Sequence, residues 1–293
     1  MTARPAPPDR AGGRLSAKHS GLLGKVAYVD IHSYYGGPGD FPPNTQPPET
    51  LDWDMYVGPA TWRDFNPGIH PRSWRACREF SNGQTGDLCV HMYDAVRYFL
   101  KLGWPKRVAA TGGSLMRSPD SNINLHDTQT ALFDHGDVQV VWNQRNWGEN
   151  PDPEYPWGAT LYGDKGTLKF SVWSYDFIPK GNGSKEHRKA LEEREQYPED
   201  VQHKATELFA APGTRAHMRN FLAARQNGQL PVADIEQGYI SSACCIMANL
   251  SMELGRELRW DAAAGRVIGD DEANRRLART YRGDWIHPTP DNV

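Results

Sequence analysis

The sequence predicts an α+β fold, an open mixed or antiparallel sheet with helices on one face. Three observations carry that expectation. Strand-like segments follow one another through turns of about four residues, too short for the crossover of a parallel βαβ unit. Two long helical patterns, over residues 214–227 and 233–254, come after the strands rather than between them. No strand-like segment runs through G-x-G-x-x-G into a helix, the signature of a dinucleotide-binding unit.

The elements follow in order. Residues 1–20 begin with a Pro/Ala/Arg/Gly-rich run without periodicity and are expected to form a disordered tail, leaving 21–293 as one domain. Residues 24–35 alternate and are β-rich, a first long strand. Residues 36–50 carry too many prolines and glycines for a helix or a central strand and read as an ordered loop or lid. From 52 to 80 the chain is irregular and aromatic, with Trp53, Tyr56, Trp62, Phe65, Trp74 and Phe80 among arginines. Such a mixture suits either a sugar-binding cleft or a lid packed over the core.

A helix follows over residues 83–100, apolar on most faces and ended by Gly103 and Pro105. Strands come next at 106–111, 127–134 and 137–145, the last two joined by Asp134-His135-Gly136-Asp137 as a hairpin. A second hairpin covers 158–162 and 167–173. Residues 185–207 read as a charged, partly helical surface excursion, 257–261 as a short strand and 270–281 as a last helix capped by Asp270.

Composition limits the function classes. A net charge of −3 and a pI near 6.4 give no reason to expect nucleic acid or an anionic membrane as partner. The cysteines Cys77, Cys89, Cys244 and Cys245 lack C-x-x-C spacing, which fits a reduced intracellular protein and no metal site. No apolar run has signal or transmembrane length, so the expected location is the cytoplasm.

The helix over 83–100 carries the chemistry. At 100° per residue Asp87, His91 and Asp94 fall within roughly 60° of one another, a polar stripe on an otherwise apolar helix. An imidazole beside a carboxylate is suited to general-base work near neutral pH. On spacing alone a second reading stands: Asp87 favoured by a helix N-terminus, and His91 a satisfied core histidine. A zinc site is a poorer fit, since no third ligand has suitable spacing.

The word Gly86-Asp87-x-x-x-His91-x-x-Asp94 after a glycine-rich approach resembles the catalytic helix of the Gfo/Idh/MocA family of NAD(P)-dependent oxidoreductases. Leu51-Asp52-Trp53-Asp54-Met55-Tyr56-Val57-Gly58-Pro59-Ala60 is similar to the tract preceding that helix in the bacterial branch. So are Pro231-Val232-Ala233-Asp234-Ile235-Glu236, residues 254–261 and residues 269–277. The resemblance implies the C-terminal substrate domain of a sugar or polyol oxidoreductase, using NAD or NADP in the intact family. It implies His91 as the base that takes a hydroxyl proton and Asp87 as the group that orients either His91 or the substrate hydroxyl. Trp74, Arg75, Asp94 and Asp127 are implied as substrate contacts. It also implies a homo-oligomer paired sheet to sheet, with Val138, Val140, Trp142, Leu168 and Phe170 as contributors.

The family's dinucleotide domain and its Glu-Lys-Pro word have no counterpart in the sequence. Gly36-Gly37-Pro38-Gly39 has the wrong spacing, and residues 181–186 lack the third glycine. No cofactor is therefore expected to bind this chain alone. Three readings follow: a substrate domain inactive by itself, its cofactor domain lost, truncated by start-site choice or carried by a separate Rossmann-domain protein; a cofactor-free carbohydrate-binding protein; or a cofactor-independent lyase or hydrolase using Asp87 and His91.

Overall fold

The computed structural model describes residues 21–292 other than Gly36, Pro38, His70 and Pro290. The expected tail over residues 1–20 lies outside the described residues. The fold is the expected open mixed sheet with helices on one face. Its strands are β1 (Val26–Ser33), β2 (Arg107–Gly113), β3 (Thr128–Asp134), β4 (Gln139–Arg145), β5 (Trp157–Gly163), β6 (Gly166–Phe170), β7 (Ser174–Pro179) and β8 (Glu186–Lys189). Their order is β2-β3-β4-β1-β5-β6-β7-β8. Neighbours are antiparallel along each wing, through short turns except for the 114–127 loop between β2 and β3, and the two wings meet on β1. That strand pairs antiparallel with β5 and parallel with β4, opposing Ile31 to both Ala159 and Trp142.

Strands β7 and β8 were not expected from the sequence, where 185–207 read as partly helical. The polar word Glu186–Lys189 lacks alternation because β8 is a nearly exposed edge strand. The last helix is shorter than expected, Asp271–Arg275 (α5), since backbone bonding stops at Arg276. Residues 260–261 and 266–267 form a two-stranded ribbon, β9 and β10.

Helices α1 (Trp53–Val57), α2 (Val90–Leu100), α3 (Ala211–Asn227) and α4 (Ile235–Leu254) complete the chain. The sheet and helices α2 and α4 enclose the main core, built on Val29, Ile31, Phe133, Val140, Trp142, Leu161 and Leu168. This corrects the expected oligomer face. Val138, Val140, Trp142, Leu168 and Phe170 all belong to this core, and Val140, Trp142 and Leu168 are fully buried within one chain. Side chains alternate with period two, so the opposite face carries Tyr28, Leu132, Val141, Tyr162 and Lys169 instead.

The aromatic loop over 52–80 makes a satellite core. Trp53 stacks on Tyr56 with ring centroids 4.8 Å apart, and meets Phe65 edge-on at 5.1 Å. Phe41 of the preceding loop joins it, tied to residues 121–123 by hydrogen bonds between its backbone and the Asn122 side chain. Most of these rings pack on one another, so Trp53, Phe65 and Phe80 hold the loop together.

Candidate functional site

The helix that carries Asp87 and His91 is not α-helical throughout. Residues Thr85–Cys89 form a π-turn that passes directly into α2. Such turns are rare and widen the helix by one residue, which sequence periodicity at 100° per residue cannot register. Buried polar side chains hold it in place. Thr85 is fully buried; its hydroxyl accepts from Trp142 Nε1 at 3.2 Å and donates to the Gln129 side-chain oxygen. Gln129 Nε2 donates to Asn249 Oδ1 on α4 at 3.0 Å, and Asn249 Nδ2 donates back to the Asn82 carbonyl at 2.8 Å. A closed chain of satisfied bonds of this kind rigidifies the backbone next to the site.

Asp87 is partly exposed and His91 exposed, so both lie at the surface rather than inside a closed cleft. Asp87 Oδ2 accepts from Arg75 Nε at 3.0 Å, both side chains partly exposed. The guanidinium of Arg75 also lies 4.5 Å from the centre of the Trp74 ring. His91 is exposed and meets Trp157 edge-on, ring centroids 5.7 Å apart. Trp157 is itself fixed by donating Nε1 to the Leu88 carbonyl of the π-turn at 3.1 Å. Beyond it the rings continue: Tyr35 lies 6.5 Å and Trp173 6.3 Å from Trp157, and Phe209 lies 5.9 Å from Trp173. His91 therefore stands beside a wall of partly buried aromatic rings, four residues after Asp87, which Arg75 reaches from the 73–76 turn.

The remaining candidates are placed elsewhere. Asp94, one turn on, accepts from Ser241 of α4 at 2.6 Å and lies 3.7 Å from Arg97. Arg97 is 2 % exposed and bonds Gln237 and Ser241, so this end of the stripe fastens α2 to α4. Asp127 is buried and saturated. Its oxygens accept from the Thr128 hydroxyl at 2.7 Å and from the backbone N–H groups of Leu115, Met116 and Arg117 at 2.9–3.0 Å. Burial pushes its carboxyl up, but these four donors outweigh that and hold it below the usual carboxylate range. Asp127 thus shapes the loop over 114–126.

Trp157, Trp173, Phe209 and Gln84 were not legible as site residues. Gln84 Nε2 donates to Asn146 Oδ1 at 2.7 Å, while its Oε1 is buried without a partner. A tryptophan opening a β-strand carries no mark in sequence that separates a site wall from a core residue.

Three helix N-termini among the described residues are already filled by carboxylates. A pyrophosphate needs a strand that turns through glycine into a helix N-terminus with free N–H groups. Among the described residues β10 reaches α5 through Gly269, but the Asp270 carboxylate fills that N-terminus, accepting from Ala273 N at 2.9 Å and bound by Arg256 at 2.8 Å. Asp52 and Asp234 cap α1 and α4 in the same way. A carboxylate in each of those positions repels a second anion.

Residues 50–259 match the family model described as "Oxidoreductase family, C-terminal alpha/beta domain". None of the curated proteins compared by sequence matches the chain. Among solved structures, the aldose-aldose oxidoreductase from Caulobacter crescentus complexed with glycerol superposes with a TM-score of 0.54 at 14% identity, covering 86% of this chain and 61% of that one. The WlbA dehydrogenase from Bordetella pertussis, in complex with NADH and UDP-GlcNAcA, gives 0.51 at 17% identity, covering 86% and 62%. An NAD binding oxidoreductase from Klebsiella pneumoniae gives 0.54 at 14% identity, covering 85% and 63%. This chain thus spans about three fifths of the length of those proteins. Among the described residues no helix is long and apolar enough to cross a membrane. With the family model matched over most of its length, the chain belongs to the Gfo/Idh/MocA oxidoreductases and carries their C-terminal α/β domain.

Proposed function

We propose that this domain supplies the substrate half of an NAD(P)-dependent sugar or polyol oxidoreductase and is silent without a dinucleotide-binding domain, joined to it or provided by another polypeptide. The supporting observation is the exposed His91 imidazole, held edge-on by Trp157 beside the Arg75–Asp87 pair. Aromatic rings offer flat faces to the C–H surface of a sugar, while Arg75 and Asp87 offer a donor and an acceptor to its hydroxyls. In this arrangement His91 takes the proton from a bound hydroxyl, and the carbon beside it becomes a carbonyl once its hydride has been removed. Arg75 positions both Asp87 and the substrate, and Trp74 backs Arg75. Asp94 and Asp127 act on the substrate only through the backbone they hold.

Titration with a panel of aldoses and polyols, followed by tryptophan fluorescence and calorimetry, tests the reading. A sugar should quench Trp157 and Trp173, while NAD(H) and NADP(H) should give no stoichiometric complex at micromolar concentration. Tight dinucleotide binding by the chain alone would refute the silent half-enzyme. Product formed from sugar without NAD(P) would instead establish the lyase or hydrolase reading.

The same proposal includes a second copy of the chain on the open face of the sheet. Tyr28 and Tyr162 are 41% and 46% exposed there with ring centroids 5.8 Å apart, and Leu132 and Val141 lie half-buried beside them. Light scattering should report a dimer or larger assembly at tens of micromolar, and Tyr162→Lys should shift it toward monomer. A clean wild-type monomer would remove this part of the proposal.

A further inference from the structure

Strand β7 carries a second group of reactive side chains. Tyr175 and Phe177 belong to the helix-covered core, so strand alternation turns Asp176 to the open face of the sheet. Asp176 is nonetheless only 2 % exposed. A carboxylate buried on the uncovered face of a sheet needs compensation, and its neighbours provide it.

His187 is its cross-strand partner on β8, with Nδ1 2.8 Å from Asp176 Oδ1. Lys185 Nζ lies 2.7 Å from Asp176 Oδ2. Glu154, from the loop before β5, brings Oε1 to 3.9 Å from the same His187 nitrogen. One imidazole nitrogen and two carboxylate oxygens therefore lie within 4.8 Å of one another. Next to them is a fully buried phenol. Tyr155 is 1 % exposed, and its hydroxyl faces Asp176 and Ser174 without a well-formed hydrogen bond. A buried hydroxyl in that condition lacks a partner that a ligand at this spot would provide.

We propose that Glu154, Asp176 and His187 form a site for a divalent transition-metal ion, with a metal-bound water satisfying the Tyr155 hydroxyl. The donor set decides the class of ion. Calcium and magnesium take oxygen ligands, whereas one imidazole with two carboxylates suits zinc or its first-row neighbours. Tetrahedral zinc with bonds near 2.0–2.1 Å places ligand atoms about 3.3 Å apart. The 2.8 Å from His187 Nδ1 to Asp176 and the 3.9 Å from it to Glu154 bracket that spacing, and Glu154 is exposed and free to swing inward. On binding, His187 carries its proton on Nε2 so that Nδ1 presents a lone pair. The Lys185 ammonium, which balances Asp176 without metal, moves out to solvent. The three ligands come from a loop and two strands, so no sequence spacing announces them. The ion would clip edge strand β8 and the 150–155 loop to the sheet.

Calorimetric titration of the whole chain with zinc chloride at neutral pH tests the site, with cobalt as a coloured substitute. One zinc per chain is expected, together with a rise in melting temperature. His187→Ala and Glu154→Gln, both at exposed positions, should each weaken binding by ~10-fold or more and abolish the thermal shift. Lys185→Ala should tighten binding by removing the competing cation. His91→Ala should leave the titration unchanged. No stoichiometric binding by the wild type would overturn the proposal. So would binding that survives His187→Ala intact, or binding lost in His91→Ala, which would place the ion on the other side of the sheet.

Discussion

Alanine at position 91 should lower turnover by roughly 10²–10⁴-fold in the assembled enzyme, the range that a positioned general base contributes. The loss should fall on kcat, because the imidazole matters most when the hydroxyl proton is in flight. Sugar affinity should change little, since the aromatic wall and Arg75 remain. Melting temperature should also hold, because His91 is exposed and its replacement opens no cavity in the core. Arg75→Ala should behave differently: it frees Asp87 and removes a substrate donor, so KM should rise with a smaller change in kcat. If a well-folded His91→Ala variant retained full turnover, the helix would have no base at this position.

Acid should begin to destabilise the domain from about pH 6.5, before its carboxylates titrate. Burial lowers His126 to about 4, and burial next to Arg97 lowers His135 to about 4. Both folded values lie below the ordinary histidine value, so neither ring costs stability above pH ~6.5. As pH falls below that, the unfolded chain takes up protons that the folded one refuses. Stability then drops by about 1.4 kcal/mol per pH unit for each ring, roughly 3 kcal/mol apiece by pH ~4. That is a large fraction of the 5–15 kcal/mol typical of a folded domain. His135 bonds the buried Tyr93 hydroxyl at 3.2 Å, and His126 lies against Gly83 at the approach to the π-turn. Urea titrations across this window should show the fall, and a His126→Gln, His135→Gln double variant should flatten it. An unchanged slope in that variant would place the acid sensitivity elsewhere. The carboxylates held low, Asp127 and Asp134 among them, withdraw their contribution only below the ordinary carboxylate range.

Much of the fold was legible because the strands of each wing alternate and most of their turns are short. Residues 137–145 and 233–254 announce β4 and α4 in this way. The phase of that alternation was not legible. Val140 and Trp142 are apolar on a strand whose other side, Val141, is apolar too, so the sequence does not say which face meets the helices. The family words located Asp87 and His91, and the structure adds that Asp87 bonds Arg75 while Trp157 holds the imidazole. What no local pattern encodes is the π-turn, which depends on Thr85 finding Gln129 and Trp142 across more than forty residues. The same is true of the aromatic wall, assembled from two strand ends and a loop.

The parallel seam between β1 and β4 has a kinetic side. β3–β4 and β5–β8 are meanders whose partners lie a few residues apart, so each closes over short loops and at small entropic cost. β1 joins them, yet about a hundred residues separate it from β4. On a ribosome adding about 5–20 residues each second, β1 waits several seconds for either neighbour to appear. Throughout that interval it is an unpaired strand carrying Val29 and Ile31, open to any edge it meets. The strand that unites the two wings is therefore also the chain's main exposure to misassembly, and chaperone dependence during synthesis should be concentrated in this segment.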